Sequence, residues 1–191
     1  ECCAELGEKN SQNAHAYRDL TVPVISLSDS AIFDSGFRFL RIDVVGGEIS
    51  LKSVVAEVLD SEVNIQGSFE CSDPLLNDIY ATAARTVELC VRRGVLWDGI
   101  KRDRWCWSGD AYQSYMVNDY LFADRALNRR TITALYGKPP VIEHVNRIND
   151  YSALLIIGTW EYYFTTGDID FIKFIYPRAK SLYDFIISRL D

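Results

Sequence analysis

The chain has 191 residues, 48% apolar and 25% charged, a composition that supports a packed core and excludes wholesale disorder. Its formal net charge of −7, with no run of Lys and Arg, excludes nucleic acid as a partner, because phosphate binding needs a basic face. No stretch approaches about 18 consecutive apolar residues, so no membrane partner is expected.

The opening residues Glu1-Cys2-Cys3-Ala4-Glu5 lack the basic start and apolar centre of a signal peptide, and no initiator Met is present, so the chain is expected to be cut from something longer. Residues 1–20 are polar and aperiodic, with His15 read as exposed. Thr21–Leu27 suits a short strand, with Pro23 indicating an edge or a strand start. From Phe37 the period is two: Leu40, Ile42 and Val44 alternate with Arg41 and Asp43. Gly46-Gly47 offers a tight turn, and Ile49–Leu59 continues in apolar and β-branched residues. Two or three antiparallel strands are implied, the end of a β-sandwich over residues 1–66.

At Ser72-Asp73-Pro74 the character changes. Ser72 or Asp73 can cap a helix, and Pro74 suits its first turn. Leu75, Leu76, Ile79, Tyr80, Ala83, Val87, Cys90 and Val91 recur at helical spacing, with Arg92-Arg93 expected in the last turn and Gly94 as the stop. A second helix is expected from Gly109-Asp110 to Tyr120. A third runs from about Ala123 to Tyr136, with Arg125, Arg129 and Arg130 on a solvated face. Gly137-Lys138-Pro139-Pro140 breaks it. His144 is read as a hydrogen-bonded structural residue. Tyr151–Phe164, apolar almost all round, reads as a buried helix in which Gly158 admits a close neighbour. A last helical stretch, Ile169–Leu190, carries the stripe Ile175, Ala179, Leu182, Ile186, and its aromatic residues are expected in the core. Fold class is therefore α+β by content: a short antiparallel β region, then successive helical hairpins over residues 67–191.

The five cysteines (2, 3, 71, 90 and 106) form neither a zinc pattern nor a CxxC pair. Cys90 falls on an apolar helical face, and Cys106 has no His near it in sequence, so no thiol nucleophile is expected. The histidines and acids lack clustered ligand spacing, and neither a metal nor a cofactor is expected.

The chemistry concentrates between the first two helices, in Trp97–Asp110. These 14 positions hold three carboxylates (Asp98, Asp103, Asp110), three basic residues (Lys101, Arg102, Arg104) and three tryptophans (Trp97, Trp105, Trp107). A loop held by rigid elements is where binding and catalytic groups gather. Tryptophan offers a flat face to the C–H face of a sugar, a basic neighbour keeps one Asp ionised, and an apolar wall keeps another protonated. The same composition also suits a salt-bridge knot that fixes a loop, and Asp110 suits a helix N-terminus.

Phe69-Glu70-Cys71-Ser72-Asp73-Pro74-Leu75-Leu76, followed by Asp98-Gly99-x-Lys101-Arg102-Asp103-Arg104-x-x-Trp107-x-Gly109-Asp110, resembles the bacterial alpha-L-rhamnosidases. Asn149-Asp150-Tyr151 and Tyr162-Tyr163-x-x-Thr166-Gly167-Asp168 are similar too, so the likeness covers roughly residues 35–191. It implies an inverting glycoside hydrolase with an (alpha/alpha)6 six-hairpin barrel behind β-sandwich domains, of which residues 67–191 would be the first part. The family loop carries Glu where, counted back from Trp107 and Gly109-Asp110, this chain has Asp103; Asp103 is thereby implied as the general acid. Asp98, Arg102, Trp107, Asp110 and Asp150 are implied to bind the rhamnosyl substrate. The general base is expected beyond residue 191, so that the chain would be inactive alone. The same scaffold without catalysis would be a carbohydrate-binding protein. The resemblance favours a periplasmic or secreted setting.

Overall fold

A computed structural model describes residues 42–56, 58, 63–99 and 105–190. The expected strand Thr21–Leu27, the exposed His15 and the start of the alternating segment at Phe37 lie outside them. The described residues divide into two units, 42–56, 58 and 99 in one, 63–98 and 105–190 in the other.

In the first unit residues 42–56 form no strand, contrary to the alternation of their sequence. Gly47 takes a positive φ of 77°, as a turn requires, yet the flanking segments do not pair, and Val45 and Val55 are exposed at 99% and 82%. Alternation yields a strand only where one face is buried, and a two-stranded hairpin without a covered face is marginal in water.

The second unit is helical. Its order is α1 (Pro74–Cys90), a two-residue hairpin β1 (Val91–Arg92) and β2 (Val95–Leu96), α2 (Ser108–Leu121), α3 (Arg125–Tyr136), a 3-10 turn (Val145–Arg147), α4 (Asn149–Thr166) and α5 (Ile169–Ile187). Three helices are started by an aspartate. Asp73 accepts from the Leu75 amide at 2.9 Å, Asp124 from Leu127 at 3.0 Å and Asp168 from Phe171 at 3.0 Å. Each satisfies an amide that a helix start leaves without an internal partner. Gly167, at φ 65°, ends α4 in the left-handed conformation that glycine adopts without cost. Pro177 sits inside α5 without dividing it.

The expected end of α1 needs correction. The helix stops at Cys90, and Arg92-Arg93 belong to the hairpin instead of the last helical turn. Arg93 (φ 51°) and Gly94 (φ 73°) are the two central residues of the turn, the paired positive φ values of a type I′ connection. Partners outside the hairpin hold this geometry: Leu96 donates its amide to Thr131 Oγ1 at 3.0 Å, and Arg130 Nε donates to the Gly94 carbonyl at 2.6 Å.

Three side-chain meetings fix how α2 lies against α4. Gly109 faces Tyr151, Gly158 faces Tyr115, and Asp119 lies near Thr165. The partners advance together along both helices, so α2 and α4 run parallel, with α3 as the return between them. Their N-termini therefore share one end of the molecule, as do the connections that lead into them. Gly158 permits the close approach: a Cβ there would lie 3.0 Å from the Tyr115 ring.

Leu127, Ile132, Leu155, Tyr162, Phe171, Ile175 and Leu182 form the buried centre between α3, α4 and α5. The stripe read for α5 is observed at Ile175 and Leu182, with Ala179 and Ile186 partly buried. Two other expectations fail. Phe174, Tyr176 and Tyr183 on α5 are more than half exposed. On α4 only one face is buried, at Ser152, Leu155, Gly158, Thr159 and Tyr162, while Ile157, Trp160, Tyr163 and Phe164 are exposed. An all-apolar helix is buried all round only when elements pack on every side of it, and among the described residues α3 and α5 with α2 cover one side. Arg129 is half-exposed, as its solvated face implies, yet its guanidinium also lies 5.1 Å from the Phe171 ring centroid and 3.6 Å from Asp168.

Candidate active site

Two connections meet where α2 and α4 begin. The first leaves β2 through Trp97, whose amide donates to the Cys90 carbonyl at 2.8 Å. Asp98 is bonded twice to Trp105: its amide donates to the Trp105 carbonyl at 3.0 Å, and its carboxylate accepts the Trp105 amide at 2.9 Å. One bond fixes the loop base; the other orients the carboxylate, so Asp98 is a structural tie as well as a candidate ligand.

The second connection is tied to the first by Asn146. Its carbonyl oxygen accepts the Ser108 amide at 3.0 Å, and its amide nitrogen donates to the Cys106 carbonyl at 3.2 Å. The residue takes φ 53°, a left-handed conformation that asparagine tolerates better than most. Ser108 Oγ then donates to the Tyr151 carbonyl at 2.8 Å. His144 has the structural role read for it: Nδ1 lies 3.1 Å from Ser152 Oγ, and the ring meets Phe185 edge-on at 5.0 Å.

Trp107 and Ile148, the residues that precede α2 and α4, offer no side-chain cap, and each helix carries an aspartate in its first turn, Asp110 and Asp150. Asp110 thus lies at the helix N-terminus, inside the first turn and not at the capping position. Its carboxylate accepts the Tyr151 hydroxyl at 3.1 Å across 41 residues of sequence. Trp107 meets the Tyr151 ring edge-on, with centroids 6.3 Å apart. Gly109 leaves room for that ring, because a Cβ at 109 would run into it.

The charges of three acids bear on Tyr151. Partial burial, the charge of Asp110 and the bond to it, and then the charges of Asp150 and Asp98 push the Tyr151 phenol up to about 12. Burial, with the charges of Asp98 and Asp110, pushes the Cys106 thiol up to about 12. A thiol so far from ionising is no nucleophile at neutral pH. Three acids named from sequence, Asp98, Asp110 and Asp150, thus act on one tyrosine, with Trp107 against its ring. Arg102 and Asp103 lie outside the described residues.

Sequence reasoning missed Tyr151 and Asn146 as the residues that assemble this end. Tyr151 had a signal, since it follows Asp150 at a helix start, but nothing local pairs it with Asp110. Asn146 had none.

Residues 64–191 match the family model described as the bacterial alpha-L-rhamnosidase 6 hairpin glycosidase domain. An alpha-L-rhamnosidase of Formosa agariphila is 25% identical over 174 residues, covering 80% of this chain and 18% of that protein. A rhamnosidase from Klebsiella oxytoca, solved with rhamnose bound, superposes with a TM-score of 0.54 at 29% identity over 63% of this chain and 26% of that one. The GH78-family rhamnosidase of Bacillus sp. GL1 gives a TM-score of 0.61 at 26% identity over 69% of this chain and 15% of that one. The chain thus spans between 15% and 26% of the length of these three relatives. With its helical hairpins and the loop between α1 and α2, the chain belongs to the bacterial alpha-L-rhamnosidase six-hairpin glycosidase family.

Proposed function

We propose that this chain supplies one wall of the rhamnose site in a protein that hydrolyses alpha-L-rhamnosidic bonds with inversion. The observation that carries this reading is the Tyr151 hydroxyl held on Asp110 beside Trp107, where the charges of Asp150 and Asp98 are also felt, at the paired helix starts. It is supported by family membership and by the rhamnose held in the Klebsiella oxytoca relative.

In this reading Trp107 packs on the C–H face of the sugar, while Asp98, Asp110 and Asp150 accept its hydroxyls. Asp110 comes already oriented by the Tyr151 hydroxyl. Arg102 is a further sugar ligand, as the family resemblance implies. Asp103 is the general acid: it protonates the glycosidic oxygen as the C1–O bond breaks. A second carboxylate, from another part of the protein, takes a proton from the water that attacks C1 on the opposite face. Inversion needs a gap of roughly 6.5–9.5 Å between the two carboxyl groups. The six-hairpin barrel is the scaffold expected to set that gap.

The test is Asp103→Asn in the protein that carries this chain, assayed on an aryl alpha-L-rhamnoside. The kcat is expected to fall about 10²–10⁴-fold with rhamnose affinity kept, the contribution typical of a general acid. Unchanged turnover would remove Asp103 from the chemistry. A second reading, sugar binding without catalysis, is favoured by the shorter Asp where the family loop carries Glu. Rhamnose binding with no turnover in the parent, and turnover gained in Asp103→Glu, would decide for it.

A further inference from the structure

Trp107 stands just before α2 in extended backbone, with φ −112° and ψ 131°. Successive side chains of an extended segment point to opposite sides. Its neighbours Cys106 and Ser108 are buried, while Trp107 is only partly covered and its indole meets the Tyr151 ring. Where the indole points therefore depends on two torsions. They are the φ and ψ that relate the peptide group before Trp107 to the one after it.

Both of those peptide groups end on one side chain. Asn146 Nδ2 donates to the Cys106 carbonyl at 3.2 Å, and Asn146 Oδ1 accepts the Ser108 amide at 3.0 Å. The Cα of Trp107 lies between the two bonds, so a single planar carboxamide constrains both torsions. The demands on position 146 are narrow. Its backbone is left-handed, φ 53° and ψ 16°, a conformation that asparagine and glycine tolerate better than most residues. Its side chain has to donate and accept at once. Asparagine meets both demands. An ionised aspartate only accepts, glutamine carries its amide one carbon further out, and glycine has no side chain.

We propose that Asn146 is the positioning residue of Trp107: it sets the direction of the indole and, through it, the affinity for the sugar. The proposal rests on the reading of Trp107 as the sugar's apolar wall and names what aims that wall. An indole turned aside loses its contact with the C–H face, while the acids keep theirs.

The experiment is a double-mutant cycle in the protein that carries this chain. Rhamnose affinity is read by calorimetry in wild type, Asn146→Gly, Trp107→Ala and the pair. Glycine keeps the left-handed backbone and removes both bonds. Asn146→Gly is expected to raise the rhamnose Kd about threefold to tenfold, the scale of one or two net hydrogen bonds. It should have no further effect once residue 107 is alanine. A merely structural role would weaken binding in both backgrounds, and that result overturns the proposal, as does an unchanged Kd in Asn146→Gly. If the glycine variant does not fold, Asn146→Asp takes its place in the cycle, since it keeps the acceptor for Ser108 and loses the donor to Cys106. If wild type does not bind rhamnose, or Trp107→Ala binds it as tightly as wild type, the sugar reading of Trp107 is what fails. The fluorine resonance of 5-fluorotryptophan at position 107, assigned by its loss in Trp107→Phe, then decides this one without sugar. A shifted or broadened resonance in the Asn146 variant supports the proposal, and an unmoved one overturns it.

Discussion

Tyr151 and Asp119 show how burial and partners set what single groups do. The Tyr151 hydroxyl orients Asp110, while its ring packs on Trp107, so the two functions of the side chain separate. Tyr151→Phe keeps the ring and removes the donor. Rhamnose affinity is expected to weaken by about 1 kcal/mol, roughly fivefold in Kd, with the melting temperature nearly unchanged, as calorimetry and a thermal melt would read. At the far end of α2, burial raises the pKa of Asp119 above the ordinary aspartate range. Bonds from Thr165 and Asn128 and the charge of Arg125 oppose the shift, and Glu161 adds to it. The sign follows from proton binding. As pH rises through the ordinary aspartate value, the unfolded chain loses this proton first. Stability therefore falls until the raised folded-state value is passed, and then levels off. Asn128 donates to Asp119 Oδ1 at 2.9 Å, an acceptor that asparagine retains. Asp119→Asn should remove this fall, making the variant more stable than wild type at pH 7, by less than about 1 kcal/mol because the carboxyl is only half-buried. Urea midpoints of the two proteins between pH 4 and 7 would show it.

Among the elements, the five α-helices were legible, α1, α3 and α5 by their period and α4 by its apolar length, with punctuation at Asp73-Pro74 before α1, Gly137 after α3 and Gly167 after α4. The hairpin after α1 was not, because Val91 and Arg92 continue the helical period. What stops the helix is a contact distant in sequence, the Thr131 hydroxyl that takes the Leu96 amide. The strands expected in residues 42–56 are not formed for the converse reason, since the pattern is present and no pairing partner is found among the described residues. The contact between α2 and α4 depends on Gly158, as its sequence position suggested. Gly158→Val would drive a branched side chain into the buried Tyr115 ring, and a loss of about 1–3 kcal/mol in denaturant unfolding is expected. Asp98 and Asp110 stand out in the sequence by spacing, and Asp150 only through the family resemblance. Their common partner does not, because hydrogen bonds spanning 41 residues leave no local trace.

For the whole molecule, the exposed apolar face of α4 governs behaviour in solution. Trp160 and Phe164 stack at 5.3 Å and are exposed at 58% and 75%, with Ile157 and Tyr163 on the same helix. An apolar patch of this kind drives association or binds an apolar dye. The 191-residue chain, expressed alone, is expected to bind such a dye and to self-associate. Trp160→Arg with Phe164→Glu should reduce both without changing helix content, as light scattering and circular dichroism would read. That face is where the expected reading of α4 as fully buried was wrong, and it went unseen because hydrophobicity says that a helix wants cover, not whether cover is present.

Asn146 has a consequence for anyone transplanting this region. One carboxamide holds the entry to α2 and the entry to α4 in fixed register, through Ser108 on one bond and Cys106 on the other. On the reading proposed above, a sugar would meet two helix entries already held in register, and that part of the site would need no ordering on binding. Grafting either entry alone from a relative would leave its counterpart without an anchor; residues 105–108 and 144–152 form one cassette and have to travel together.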